Sequence, residues 1–430
     1  MPHGALILDP RNFGNSSTWT NRTDAAFALH YAALEAGRFV QELEAEVLLL
    51  LTPHGLALPR AFVLYDNPTA EGSVDVGSWL PCSFPPCSYA ASAAVSTPLT
   101  QRLDAALRAG GAEVTTISAF GPPGNGSLPL PLGWAEVIPL WFIDRAYDST
   151  DDSKGGVGGG GGGRGQRGSG SAPSGRGPGE GDGVKAEAKA EGAAGGGVGA
   201  AAAAREERWE AQSGVSGWRR RAAEQQRRQL NSRRSAVATA DAKAAESQDR
   251  IRATRSRSRT DASSGSANGR SSKSRSRSRS GPMGSMPDLM IMGMPSRRYE
   301  HAATMVSELL TLGHDLFRFL DPLDERIAIV VSADLAHTWD PHGPYGWSAA
   351  AEKFDAAAAL WAREMDREAL LRDAARAVGE AKSCGFPGLV ILQGLIDKVK
   401  PDNLHNIMLE CGHPSYYGMM AAIFDFQGDA

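Results

Sequence analysis

Cysteine is scarce in this chain: Cys82, Cys87, Cys384 and Cys411 are the four among 430 residues, and none forms a CxxC pair. That spacing argues against a zinc knuckle and suggests no disulfide scaffold, so a reducing compartment fits. Long apolar runs are absent as well. A run such as Val47–Leu51 falls far short of the roughly 20 residues that span a bilayer. The N-terminus also lacks the basic start and apolar stretch of a signal peptide. The sequence therefore predicts a soluble, cytoplasmic protein with no membrane partner.

A formal charge of -4 conceals two different materials. Residues 151–286 carry 26 Lys+Arg against 14 Asp+Glu, whereas the rest of the chain carries 19 against 35. The basic stretch includes a glycine run (Gly158–Gly163), Ala-rich and Arg/Glu-rich tracts, and Arg-Ser repeats at Arg255–Arg259 and Arg275–Ser280. It has too little apolar side chain to offset the entropy of ordering, which predicts a disordered low-complexity insert over 151–286.

The flanks alternate short apolar runs with helical patterns. Glu46–Leu51, Ala61–Tyr65, Glu136–Ile143, Asp288–Gly293, Arg326–Val331, Gly388–Leu392 and Asn406–Leu409 read as strands. Leu99–Ala109, Tyr299–Leu320 and Ala350–Ala377 read as helices, because apolar residues recur at three- and four-residue spacing. Alternating strand and helix predicts an α/β fold: one layered domain, residues 1–150 with 287–430, whose central mixed sheet is flanked by helices. The insert is then a long loop between two strands. Such length is tolerated because closure entropy grows only logarithmically.

Three histidines occupy similar places. His54 follows the first strand through Thr-Pro-His-Gly, His337 follows Arg326–Val331 through Ser-Ala-Asp-Leu-Ala-His, and His3 lies in another Pro-His-Gly. Glu410 ends the expected strand Asn406–Leu409. In open α/β sheets, functional groups gather beyond the carboxyl ends of strands. Two imidazoles and one carboxylate would make the facial triad that leaves room for Fe(II) to hold a substrate and dioxygen. A third imidazole that does not ligate can move protons. Taken singly, a histidine after a strand is more often structural, and a terminal Glu is usually just solvated.

The segments MPHGALILDP, LLTPHGLALPRAFVLY, WAEVIPLWFI, MGMPSRRYEHA, VVSADLAHTWDPHGPYG, AKSCGFPGLVILQG and HPSYYGMMAA together resemble the class III extradiol ring-cleavage dioxygenase family. The resemblance covers both flanks and skips the insert. It implies a non-haem Fe(II) dioxygenase, with zinc as the other metal in view, that opens a catechol- or aminophenol-type ring with O2. His3, His54 and Glu410 would be the metal ligands, and His337 the catalytic acid/base. Cys411 or His413 is the alternative to Glu410, since Cys-Gly-His separates that residue from Pro414 here. The family has a strand leading into its first histidine, where this chain has only Met1 and Pro2, so His3 is expected to be loosely held.

Around this centre, Tyr345, Tyr417 and Asp334 are candidates for lining the substrate pocket. Asp334 could equally orient a ligand or cap a turn. Arg297 and Arg298 either attract an anionic substrate tail or form a solvated pair. Two rival readings stand beside the enzyme. One is a Memo-type metal-binding relative without ring cleavage, which a cysteine ligand would favour. The other is an RNA-associated protein acting through the Arg-Ser insert, whose serines invite phosphorylation. A homodimer is compatible with all three.

Overall fold

A computed structural model describes residues 1–13, 20–78, 82–118, 128–149 and 286–426. The expected disordered insert, and any RNA-binding role for it, lie outside the described residues. The fold is α/β, with mixed sheets flanked by helices.

Five strands form the central sheet: β1 (Val47–Thr52), β2 (Phe62–Tyr65), β5 (Val114–Ile117), β7 (Asp288–Gly293) and β8 (Ile327–Val331), in the order β5-β2-β7-β1-β8. Residues from both sides of the insert meet here, because β7 and β8 pair in parallel with the two edges of β1. Only the β2–β7 pairing is antiparallel within this sheet. The run Val47–Leu51 is continuously apolar because both faces of β1 are covered. Val47, Leu49 and Leu51 enter one core cluster, while Leu48 and Leu50 enter the other.

Helix α1 (Thr20–Glu42) and α3 (Trp134–Ser149) contribute to one of these clusters, together with a smaller sheet of β3 (Thr69–Asp75), β4 (Ser88–Ala94) and β6 (Leu130–Pro131). The other cluster takes residues from α2 (Thr97–Ala109), α4 (Val306–Leu320), α5 (Ala350–Glu364), α6 (Ala375–Ala381) and α7 (Phe386–Ile396). An antiparallel hairpin of β9 (Leu404–Gly412) and β10 (Met419–Phe426) packs against α1 and α5.

Four expectations are corrected. Glu136–Ile143 is not a strand but part of α3, in which Val137, Ile138, Leu140, Phe142 and Ile143 are all fully buried. Gly388–Leu392 likewise lies within α7, buried along its whole length. A helix that is apolar all round has no stripe to betray its period, so a short sample of it looks like a buried strand. The insert therefore leaves from a helix, α3, and returns at β7. Finally, Cys82 and Cys87 are joined by a disulfide, a link that the cysteine spacing does not suggest. No helix among the described residues is long and apolar enough to cross a membrane.

Candidate metal centre

The carboxyl ends of β1 and β8 frame the centre. Beyond β1, the chain turns at Thr52-Pro53-His54, where the His54 N–H donates to Thr52 Oγ1 at 3.2 Å. The Thr52 hydroxyl in turn donates to Glu136 Oε1. Glu136 sits in the first turn of α3, and its other oxygen accepts the Gly133 N–H at 2.9 Å. Burial holds this carboxyl above the usual carboxylate range. Helix α3 thus anchors the His54 turn, and its first residue, Trp134, lies 4.6 Å from the His54 ring.

His3 is not loosely held. The Met1 amino nitrogen donates to the Val331 carbonyl at 2.7 Å, and the Ala333 N–H donates to the Met1 carbonyl at 3.0 Å. One residue bonding to two residues that are two apart on its neighbour is the pattern of a parallel ladder, so Met1 extends the sheet alongside the end of β8. The His3 N–H then donates to Asp334 Oδ1 at 3.0 Å, and the ring is 1% exposed.

A chain of hydrogen bonds determines which His3 nitrogen is bare. Pro139 inside α3 has no N–H, so it cannot donate to the Ala135 carbonyl one turn earlier. The Ser332 hydroxyl donates to that carbonyl at 2.5 Å. A serine has one O–H donor, so Ser332 Oγ can only accept from His3 Nδ1, 2.9 Å away. The proton of the neutral ring is therefore on Nδ1, and Nε2 presents its lone pair to the centre.

Facing that lone pair are Cys384 Sγ at 3.5 Å and Asp334 Oδ2 at 3.3 Å. Cys384 lies two residues before α7. Gly385 lets the chain come that close, because a Cβ there would lie 2.6 Å from the Ala333 side chain and 2.8 Å from the Asp334 carbonyl. The Ser383 hydroxyl also donates to the Asp334 carbonyl, at 3.0 Å. The His3 and His54 rings meet edge to face at 5.2 Å. One ligating atom from each of His3, His54 and Cys384 lies within 4.8 Å of the others, so this buried group can hold a metal ion.

The electrostatics favour neutral imidazoles. Burial, then the neighbouring His54 and His337, hold His3 well below its usual value. His54 is pushed down to about 4 by burial and by the charge of Arg298, and His337 falls to about 4 by burial. Burial raises the Cys384 thiol and lifts Asp334 to about 7. Without a metal, the contacts to His3 Nε2 are satisfied by a proton on Cys384 or Asp334. A cation between these groups takes the place of that proton.

His337 borders the centre without joining the ligating group. Its N–H donates to the Ala381 carbonyl at 2.7 Å. Buried Asp355 braces the preceding loop, accepting the Ala336 N–H at 2.9 Å and Trp339 Nε1–H at 2.8 Å. Gly418 is required beside it, since a Cβ there would lie 1.9 Å from Asp355 Oδ2. Through Leu335 and Ala336, Gly418 makes two 2.7 Å backbone bonds that bring the tyrosines up to His337. Tyr345 stacks on the His337 ring at 5.6 Å, while Tyr417 and Tyr416 stand edge-on at 5.9 and 6.3 Å.

Glu410 is placed differently from the expectation. Strand β9 does not end at Leu409 but continues to Gly412, and Glu410 pairs with Ala421 in the hairpin. Its Oε1 accepts the Cys411 N–H, and among the described residues it is not part of the ligating group. The rule about carboxyl ends of a parallel sheet does not apply to a strand of a separate hairpin. His413 stacks on Trp339 at 3.7 Å, and half-buried Cys411 packs against the core. Asp334, expected at the pocket wall, positions His3. No family model matches the chain, and no curated protein matches it either.

Proposed function

We propose that this protein is a metal-binding protein in which His3, His54 and Cys384 hold a thiophilic transition metal, zinc or copper(I); a cysteine ligand is what favours the Memo-type reading over the ring-cleaving enzyme. The observation that carries this is the donor set: Cys384 Sγ completes the ligating group with the two imidazoles, while Asp334, the carboxylate beside His3 Nε2, lies outside that group. Thiolate with imidazole suits zinc and copper(I) better than the carboxylate-bearing triad of oxygen-activating iron. The bare Nε2 of His3 supports it further, because a ligating imidazole needs its other nitrogen engaged elsewhere. Metal analysis of protein purified without chelator tests the reading. Near-stoichiometric zinc or copper is expected, and cobalt substitution should produce a sulfur-to-metal charge-transfer band that Cys384→Ser abolishes. A cobalt spectrum unchanged in Cys384→Ser removes the thiolate from the site.

A second reading keeps the ring-cleaving dioxygenase, with Fe(II) on the same three residues. It is favoured by His337, an imidazole held neutral beside the centre and walled by Tyr345, Tyr416 and Tyr417. Fe(II) would supply activation of a catechol and of dioxygen, while His337 would take and return a proton at the ring hydroxyl. Anaerobic loading with Fe(II), followed by catechol and oxygen, should then give a yellow product with one O2 consumed per ring. No oxygen uptake eliminates this reading.

A further inference from the structure

Arg298 is a buried cation without a carboxylate. It is 4% exposed, yet its partners are neutral: Nη1 donates to the Met294 and Pro295 carbonyls at 3.4 and 3.1 Å, and Nη2 donates to the Tyr299 hydroxyl. The Tyr299 ring covers the guanidinium at 4.0 Å. Nε has no hydrogen-bond partner, and among the described residues no acid forms an ion pair with Arg298. Its neighbour Arg297 does pair, with Glu308. A guanidinium has five N–H donors. Three are engaged here, leaving the Nε–H and one Nη2–H free.

Burying a charge without a counter-ion is costly, so such a group marks the place where an anion binds. The side chain lies beside the β1 end of the centre: Arg298 Nη1 holds the Met294 carbonyl, the Met294 N–H donates to the Thr52 carbonyl at 3.2 Å, and His54 follows two residues after Thr52. One positive charge with two free donors matches a carboxylate, which is planar and singly charged, better than a phosphate dianion.

We propose that Arg298 is a specificity-determining residue that binds the carboxylate of a small organic acid seated at the His3–His54–Cys384 centre. This rests on the centre being a metal site open to a small-molecule ligand. Remote anion recognition of this kind orients a ligand before any chemistry occurs.

Benzoate and benzamide provide the probe, because they share a shape and differ in charge. With zinc-loaded protein in a calorimeter, benzoate is expected to bind about 10- to 100-fold more tightly than benzamide, the range for a buried charge-assisted hydrogen bond. The ratio should fall below about threefold in Arg298→Gln and to an intermediate value in Arg298→Lys, which keeps the charge and loses the fork. Equal binding of the two probes by the unaltered protein, a measurement that needs no variant, overturns the proposal. So does a ratio unchanged in Arg298→Gln. A ratio unchanged together with weakened zinc binding would show that Arg298 serves the Cys384 thiolate instead. Should the protein take up no metal, the metal reading fails by itself, and the same two probes titrated into metal-free protein still decide the role of Arg298.

Discussion

Replacing Ser332 with alanine should weaken metal binding without removing a ligand. In the native arrangement the Ser332 hydroxyl is committed to the Ala135 carbonyl, so its oxygen holds the proton of His3 on Nδ1. Ser332→Ala leaves that Nδ1–H buried and unpaired, which costs about 1–3 kcal/mol. The ring escapes the penalty by moving its proton to Nε2, where Asp334 Oδ2 stands 3.3 Å away as acceptor. A metal must then reverse the switch, so affinity should fall by about 5- to 150-fold, in line with losses on removing a ligand's supporting hydrogen bond. Competition against a chromophoric chelator measures the affinity, and nitrogen NMR shifts of the metal-free protein report which ring nitrogen carries the proton. An affinity within about threefold of the native value, or a ring still protonated on Nδ1, would refute the reasoning. Pro139→Ala provides an independent route to the same bond. It restores an N–H that competes for the Ala135 carbonyl, so thermal stability should rise while metal affinity drops.

Three further outcomes are expected. Gly418→Ala forces the Asp355 carboxylate from its two donors and should cost about 3–5 kcal/mol in urea unfolding; in an Asp355→Ala background the same change should cost under about 1 kcal/mol, and equal costs in both would refute the clash. Metal affinity should rise about tenfold per pH unit between about pH 7 and 8, because the raised Cys384 thiol must release its proton while His54, titrating at about 4, and His3, held well below its usual value, are already neutral. Below pH 7 the slope should steepen as Asp334, titrating at about 7, also gives up a proton; a flat profile measured by proton release would show that no thiol proton is displaced. Deleting residues 153–281 should leave the melting temperature unchanged or slightly higher, since β7 and β8 pair with β1 regardless of the connection; failure to fold would show that the insert supports the core.

Four of the five strands of the central mixed sheet are legible in the sequence because they are short, apolar and bounded by turn residues, whereas β5, with two threonines among its four residues, is not; three of the four chemically notable residues follow from those strands. His3, His54 and His337 are all found where strand ends and paired Pro-His-Gly segments suggest. Cys384 is hidden by one misleading element. With Gly388–Leu392 read as a strand, nothing marks the preceding cysteine, although Phe386-Pro387 carries a helix-start signal that places Cys384 just ahead of α7. Glu410 misleads for the opposite reason: its strand is recognisable, but sequence cannot tell a hairpin strand from one in the main sheet. The Ser332–Ala135–Pro139 relay is out of reach, because a missing N–H on one helix acquires meaning only when another strand end meets it.

The way Met1 lies beside β8 bears on how the protein should be handled. Residues attached ahead of it would be directed along the free side of that edge strand, into an apolar groove lined by Val40, Ile329 and Phe424. A hydrophilic affinity tag fused there would be forced between greasy walls, close in sequence to an imidazole donor, and metal-loading results obtained with such a fusion would report the tag as much as the protein.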